Sequence, residues 1–337
     1  KIKKGTILEE KHIKVCSPGQ GLSPQLYNEL IGKTINRNME EEDFFFMSDI
    51  TKAKVAPRKY SFDLKWGVPV RYHDFKEYSE MIKPEIFEFH LSYSDMDLDF
   101  KKYLEKSESA FVVHAPELFS KSRLMDLATP DEVYRKESIL ETQRVVDITK
   151  KLKDFFPKTK KPLIVANIGG FSMDENIPND QIDAYYQRFL KSLNEINFDE
   201  VELIPQNMAP FPWHFGGQRY QNMFVSSEDI IKYCEAFGLR ICFDISHAML
   251  ACNHFDWDFY KFSEEVAPYA AHIHVGDASG VNGEGLQIGK GDVDFNRLGK
   301  ILKSKCPNAS FIPEIWQGHK NQGEDFWIAL DLLEGYL

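Results

Sequence analysis

The stretch "RICFDISHAML", residues 240–250, ends a short apolar run in a carboxylate, Asp244, and sets an imidazole, His247, three residues further on. Such a pair is either part of a metal or acid–base site or only the polar end of a strand. Other apolar runs end in the same way. "IFEFHLSY" carries Glu88 and His90, "AFVVHAP" carries His114, and "PLIVANIGG" carries Asn167. "VELIPQN" holds Glu202 and Gln206, "AHIHVGD" holds His272 and His274, and "SFIPEIW" holds Glu314. Taken singly, a histidine at a strand end is more often a hydrogen-bonded structural residue than a ligand, and a carboxylate there often caps the next helix. Together, carboxylate, imidazole and amide oxygen suit one divalent ion, Mn²⁺, Mg²⁺, Co²⁺ or Zn²⁺, whereas calcium would want more oxygens.

Convergence of these side chains requires elements that bring them to one place. From about residue 62, strand-like runs alternate with amphipathic stretches such as "DEVYRKESILETQRVVDITKKLKDFF" and "NDQIDAYYQRFLKSLNEI". The Ser226–Asp229 segment before "IIKYCEAFG" predicts a helix start with a capping serine and an acidic first turn. Eight strand–helix repeats over residues 62–337 predict a (β/α)₈ TIM barrel of the α/β class, whose strand C-termini form the functional rim. An open doubly wound sheet competes, but no Gly-rich dinucleotide fingerprint opens it. Residues 1–55 differ in texture, with short apolar pieces broken by "KKGT" and "SPGQGLSP". They predict a separate, small, mostly β domain, joined through "TKAKVAPRKYS".

The 337 residues carry a formal net charge of −11 without a basic stripe, which argues against a nucleic-acid partner. No apolar run approaches the ~18 residues of a membrane helix, and no signal-peptide pattern opens the chain. Five scattered cysteines without CxxC spacing predict a reducing, cytoplasmic setting.

"FVVHAP", "LIPQNMAPFPWHFGG", "CFDISHAM", "HIHVGDASG", "IGKGDVDF" and "PEIW" follow one another as in xylose isomerase-like sugar isomerases and epimerases, and the region from about residue 62 resembles that family. The resemblance implies one divalent ion held by Gln206, Asp244, His274 and Glu314. It implies Glu314 as an acid/base, and His114 or His247 would be further proton carriers. His247 would equally serve by orienting Asp244 or by binding substrate. Trp213, His214 and Phe215 of the loop "PFPWHFGG", and Trp316, would stack on a sugar or simply cover the barrel mouth. Lys290 would meet a carboxylate or phosphate, or remain an exposed loop lysine. The departure is Gln206, where the family's pattern reads "EN" and this chain reads "QN". In the epimerases the two metal-binding glutamates also form the acid/base pair, and an amide cannot exchange a proton. Glu202 is the weaker substitute, because it should lie deeper in the barrel. Endonuclease IV, of the same superfamily, needs further His and Asp ligands that fall here on Asn167, Gly283 and Gly285, so DNA cleavage is not expected.

"IKKGTILEEKHI" and "SPGQGLSPQLYNELIGK" resemble the SAF (antifreeze-like, β-clip) domain of sialic acid synthases. In those proteins the domain follows a synthase barrel and covers the active site of a dimer partner. A basic residue often precedes the Pro-Gly pair, where this chain has Ser17. The resemblance implies the back part of a longer, homodimeric sialic acid synthase-like chain, whose second barrel acts on a sugar in sialic or nonulosonic acid biosynthesis. The other functions open to the sequence are a catalytically degenerate barrel that supports the synthase and a metal-assisted hydrolase or lyase, both of which tolerate Gln206.

Overall fold

The computed structural model describes residues 1–17, 20–51, 55–120, 123–214 and 217–337, apart from the side chain of His214. Pro18, Gly19 and Phe215, together with the side chain of His214, therefore lie outside the described residues. The chain divides into two compact units, Lys1–Arg58 with Gln317–Ile328, and Lys59–Trp316 with Ala329–Leu337.

Each of the eight apolar runs becomes a strand of the larger unit. In chain order these are β1 (Lys65–Val70), β2 (Ile86–His90), β3 (Ala110–His114), β4 (Leu163–Ala166), β5 (Glu202–Pro205), β6 (Ile241–Asp244), β7 (Ala270–Val275) and β8 (Ser310–Pro313). All neighbours pair in parallel, in the order β6-β7-β8-β1-β2-β3-β4-β5. The ring closes between β5 and β6 through one parallel bridge, Gln206 with Cys242. Strands of this kind are covered on both faces, which is why they read as continuous Val/Ile/Phe runs rather than as clean alternation.

Helices follow the strands: α1 (Tyr72–Met81), α2 (Glu132–Leu152), α3 (Asn179–Leu193), α4 (Ser227–Phe237), α5 (Ile245–Phe255), α6 (Phe259–Val266) and α7 (Phe295–Lys305). The predicted cap is present, since the Ser226 hydroxyl accepts from the Asp229 amide at 3.1 Å. Gly238, at φ +66°, ends α4 in the left-handed conformation that favours glycine. Asp131, Asp258 and Asp294 cap α2, α6 and α7 in the same chemical manner.

Inward-facing residues alternate along each strand, and this sets the site on its floor. Val112, Val165, Ile204, Cys242 and Ile312 belong to one buried cluster with Ile86. Two residues further toward the C-terminus stand His114, Asn167, Gln206, Asp244 and Glu314. An aliphatic layer therefore lies directly beneath a polar one. β7 breaks the rule, because the residue two before His274 is His272, fully buried.

The smaller unit has its own core of Leu8, Leu30, Ile35 and Met39, flanked by Ile2, Ile13, Leu22, Phe45 and Ile50. Its β pairing, among the described residues, is limited to the antiparallel bridges Ile2–Met39 and Ile7–Thr34. Arg37 holds it together on the polar side, reaching Asp49 at 2.6 Å and Asp43 at 3.1 Å. No helix among the described residues is long and apolar enough to cross a membrane.

Candidate functional site

Four strand ends bring Gln206, Asp244, His274 and Glu314 to the rim. Asp244 closes β6 and begins α5 at once. Its Oδ1 accepts the His247 amide at 2.8 Å, which caps the helix. The backbone of Asp244 is locked to the side chain of Asn207. The Asp244 amide donates to Asn207 Oδ1 at 2.7 Å, and Asn207 Nδ2 donates to the Asp244 carbonyl at 2.9 Å. The carboxylate thus has one oxygen committed and Oδ2 turned toward its neighbours. Gln206 Nε2 donates to that oxygen at 2.8 Å and faces His274 Nδ1 at 3.2 Å. Glu314 Oε2 lies 2.7 Å from the same Nδ1.

His274 has a second set of partners on its other nitrogen. Nε2 lies 3.0 and 3.2 Å from the two oxygens of Glu88, which is fully buried. Glu88 Oε2 also meets His272 Nε2 at 2.5 Å, and His272 Nδ1 meets the Ser310 hydroxyl at 2.7 Å. His90 Nε2 comes within 3.0 Å of Glu88 Oε1 without hydrogen-bond geometry. The rings of His90, His114 and His274 are stacked on one another, with His90 and His114 4.9 Å apart between centroids.

Two groups in this cluster have the donor atoms for a cation: Asp244, His274 and Glu314, and Glu88, His90 and His274, each with its ligand atoms within 4.8 Å of one another. They share His274, and a neutral imidazole has one lone pair and one N–H. The choice of tautomer therefore selects between them. Glu88 accepts hydrogen bonds from two imidazoles, so its lone pairs are already engaged on the Nε2 side. With the proton on Nε2, Nδ1 presents its lone pair to Asp244 and Glu314. A carboxylate that fixes a ligating histidine from behind in this way is a recurring device of metal sites. The donor set on the Nδ1 side, one imidazole and two carboxylates, fits a divalent transition ion or Mg²⁺. Gln206 would join it only with its amide turned, since Nε2 now faces Asp244 and His274.

The electrostatics follow from the same contacts. Desolvation at Glu88 is outweighed by the charges and hydrogen bonds of His274 and His272, and its pKa lies well below the usual carboxylate range. At Glu314 desolvation is likewise outweighed, chiefly by His274 with His90 and His114 behind it, and the pKa is lowered. Desolvation opposes the charged form of His274, but Cys242, Glu314 and Glu88 overcome it and raise the pKa well above the ordinary value. Burial wins at Asp244, whose pKa is raised, and at His114, whose pKa is lowered with the help of His90. His247 is buried, yet Asp244 and Glu284 lift its pKa to about 10. In such a cluster a cation would take the place of shared protons.

The other expected residues fall around this centre. His247 lies beside it: Nδ1 donates to the Asn207 carbonyl at 3.0 Å and Nε2 faces Glu284 Oε1 at 3.2 Å. Glu202 stands at the opposite end of β5, held by two 2.8 Å bonds from Arg240, and is remote from the rim. Asn167 is buried, its Oδ1 accepting from Gly169 and its Nδ2 without a partner among the described residues. Trp213 and Trp316 are 65% and 72% exposed, and Lys290 is an exposed loop residue. Sequence reasoning had assigned no role to Asn207 or Glu284. The only signal for Asn207 was its place after Gln206, and for Glu284 the two glycines that flank it.

A family model described as a xylose isomerase-like TIM barrel matches residues 77–333. Among curated proteins, an uncharacterised protein of Methanocaldococcus jannaschii is 33% identical over 119 residues, which is 34% of this chain and 41% of that one. The match thus spans about two fifths of that relative's length. Solved structures with this fold include a D-tagatose 3-epimerase-like protein, at TM-score 0.58 and 19% identity, covering 81% of this chain and 97% of the other. D-psicose 3-epimerase of Clostridium cellulolyticum, solved with D-tagatose, gives TM-score 0.57 and 15% identity over 81% and 99%. The 3-keto-D-glucoside 4-epimerase of E. coli gives TM-score 0.53 and 13% identity over 80% and 99%. At these identities the likeness establishes the fold, which is that of sugar isomerase and epimerase enzymes.

Proposed function

The chain belongs to the xylose isomerase-like TIM-barrel family, and we propose that it is a divalent-metal-dependent sugar isomerase or epimerase that moves a proton at a carbon beside a carbonyl. The observation that carries this reading is Glu314: a carboxylate one-third exposed at the rim, 2.7 Å from Nδ1 of the buried His274. Asp244, His274 and Glu314, with Gln206 turned inward, would hold the ion. When bound, it would supply the Lewis acidity that stabilises negative charge on a sugar carbonyl oxygen.

The chain's own residues do the rest. Glu88 keeps the proton of His274 on Nε2 and so presents Nδ1 to the ion. Asn207 fixes the backbone of Asp244. Glu314, lowered in pKa and thus ionised at neutral pH, takes the substrate proton. Trp213 and Trp316, both exposed, would offer faces for a sugar ring; His214, whose side chain lies outside the described residues, is a further candidate. His114 and His247 are the further proton carriers, and Lys290 would meet a charged group on the substrate. The ketose epimerases among the structural neighbours support a free sugar as the substrate class. The SAF-like residues 1–55 support a sugar of the sialic or nonulosonic acid pathway, with a synthase barrel as partner and homodimers as the assembly in the cytoplasm.

One observation favours a second reading. Gln206 turns an amide, not a carboxylate, toward Asp244 and His274, so a barrel that binds metal and sugar without inverting any carbon accounts for it. Metal analysis of the purified protein, followed by incubation with ketoses in deuterated water, separates the two. Stoichiometric Mn²⁺, Co²⁺ or Zn²⁺ with deuterium entering a sugar supports the enzyme. Bound metal with no exchange supports the degenerate barrel, and neither result sinks both.

A further inference from the structure

Asn167 stands immediately after β4, and its neighbours fix where its side chain goes. Val165, two residues earlier, belongs to the buried aliphatic layer inside the barrel. Side chains two apart along a strand share a face, so Asn167 joins the inner polar layer. β4 and β5 run in register from Leu163 with Glu202 to Ala166 with Pro205, and the Gln206 amide donates to the Ala166 carbonyl at 3.0 Å. The next step of that register sets Asn167 beside Gln206, one strand spacing of about 4.8 Å away. β4 is also four strands from β8 in either direction around the ring. Asn167 therefore stands across the barrel from the strand end that carries Glu314.

The amide of Asn167 is oriented and only half used. Its Oδ1 accepts from the Gly169 amide at 3.2 Å, a contact that the nitrogen end could not make. Gly169 is itself held, since Gln221 Nε2 donates to its carbonyl at 2.9 Å. Its φ of +95° favours glycine, and a Cβ there would run into Asp126. The loop thus keeps Oδ1 engaged and leaves Nδ2 as the donor end. Asn167 is 4% exposed, and Nδ2 has no hydrogen-bond partner among the described residues. Buried polar groups are almost always paired, so a fixed donor of this kind calls for an acceptor oxygen.

We propose that Asn167 is a specificity-determining residue, whose Nδ2 donates to a substrate hydroxyl oxygen on a carbon away from the reacting one. The proposal rests on the sugar isomerase or epimerase reading above and deepens it. In that reading the carbonyl and the reacting carbon lie toward Asp244, His274 and Glu314, on β6, β7 and β8. An oxygen that reaches β4 comes from the far end of the sugar. A neutral amide suits a hydroxyl there. The inner-layer residues His114, Gln206, Asp244 and Glu314 include no lysine or arginine to balance a phosphate.

The test measures ketose binding by calorimetry, on the full chain with saturating Mn²⁺. Whichever of D-tagatose, D-psicose and D-fructose binds tightest is compared with its analogues lacking the hydroxyl at C4, C5 or C6. Asn167→Leu should weaken binding of the parent sugar about tenfold, the loss of one good hydrogen bond. One analogue should bind the unmodified protein about tenfold more weakly than the parent, and that analogue alone should be indifferent to Asn167→Leu. Asn167→Asp keeps the bond to Gly169 and replaces the donor by an acceptor, so it covers the case in which the leucine variant does not fold. Fluorine at the same carbon accepts but cannot donate, and Asn167→Asp should bind that fluoro sugar less well, relative to the deoxy sugar, than the unmodified protein does. Mn²⁺ stoichiometry should stay unchanged in both variants.

A merely structural role for the amide would weaken all four sugars alike, and that result overturns the proposal. Binding unchanged by both substitutions, as when Nδ2 meets only a buried water, overturns it too. The epimerase reading survives either outcome. Loss of Mn²⁺ from Asn167→Leu would make Asn167 a ligand of the ion and would also overturn the proposal. Absence of binding of all three ketoses to the unmodified protein overturns both.

Discussion

Two side chains decide what the rim can do, and each makes more than one contact. Asp244 is both a prospective ligand and the cap of α5, so removing it entirely would confound two effects; loss of such a cap alone costs about 0.5–2 kcal/mol. Asp244→Asn keeps a capping oxygen and removes the charge. We expect this variant to retain its fold by circular dichroism and to lose stoichiometric metal by elemental analysis; unchanged metal content would remove Asp244 from the ligand set. Gln206→Glu works the other way. It places a second carboxylate where Nε2 now lies 2.8 Å from Asp244 Oδ2. Without metal the like charges repel and the melting temperature should fall, whereas with saturating Mn²⁺ it should recover or exceed that of the unmodified protein. Equal shifts with and without metal would mean that position 206 does not face the ion.

The elements that carry these residues are held by buried polar clamps rather than by packing alone. The loop after β7 is the clearest case. Asp277 is fully buried, and its carboxylate accepts from the amides of Ala278, Gly289, Gly291 and Val293. Hydrogen bonds to a charged acceptor contribute about 1.5–3 kcal/mol each, and the orphaned amides add a cost of their own. Asp277→Ala should lower stability by ~3 kcal/mol or more in urea titration, and it should loosen the segment that carries Lys290. A Cβ at Gly291 would run into the Ala278 carbonyl and the Asp277 carboxylate, so Gly291→Ala should mimic the loss. If Asp277→Ala melts with the unmodified protein, the clamp is not what orders this loop.

On the scale of the whole molecule, the pH dependence of folding should carry one separable contribution away from the rim. Burial raises the pKa of Asp126 to about 6 from 3.8, against hydrogen bonds from Ala128 and Gly170 that oppose the shift. An acid with a raised folded-state pKa binds more protons folded than unfolded across that interval. Its stabilisation is therefore complete below pH 3.8 and is lost as pH rises through about 6. Two pKa units correspond to about 3 kcal/mol. The bonds from the Ala128 and Gly170 amides end on Oδ1, which asparagine can supply. Asp126→Asn should thus gain stability relative to the unmodified protein between pH 4 and pH 7, by up to ~3 kcal/mol in urea melts. A constant difference across that range would mean Asp126 is ionised when folded.

The eight barrel strands were legible because parallel strands covered on both faces need long apolar runs, and their polar ends stand out against them. Asp244, His274 and Glu314 were visible for that reason, as residues that follow apolar stretches. Ser226 was visible because a helix start has local chemistry. Glu88 was visible only as a polar residue, not as the base of the cluster, since its partners His272 and His274 lie more than 180 residues away in the chain. Glu202 and Gln206 share one face of β5, with Glu202 expected deeper, and closure of the barrel gives them their partners, Arg240 for one and Asp244 for the other. Glu284 had only its two flanking glycines as a signature, and a loop glutamate acquires direction when Ser246 and Trp316 hold the next residue and His247 meets its carboxylate. Patterning along the chain determines which layer a residue joins; which nitrogen of a histidine is free, and which carboxylate stands across from another, depends on contacts between strands that only the closed ring brings together.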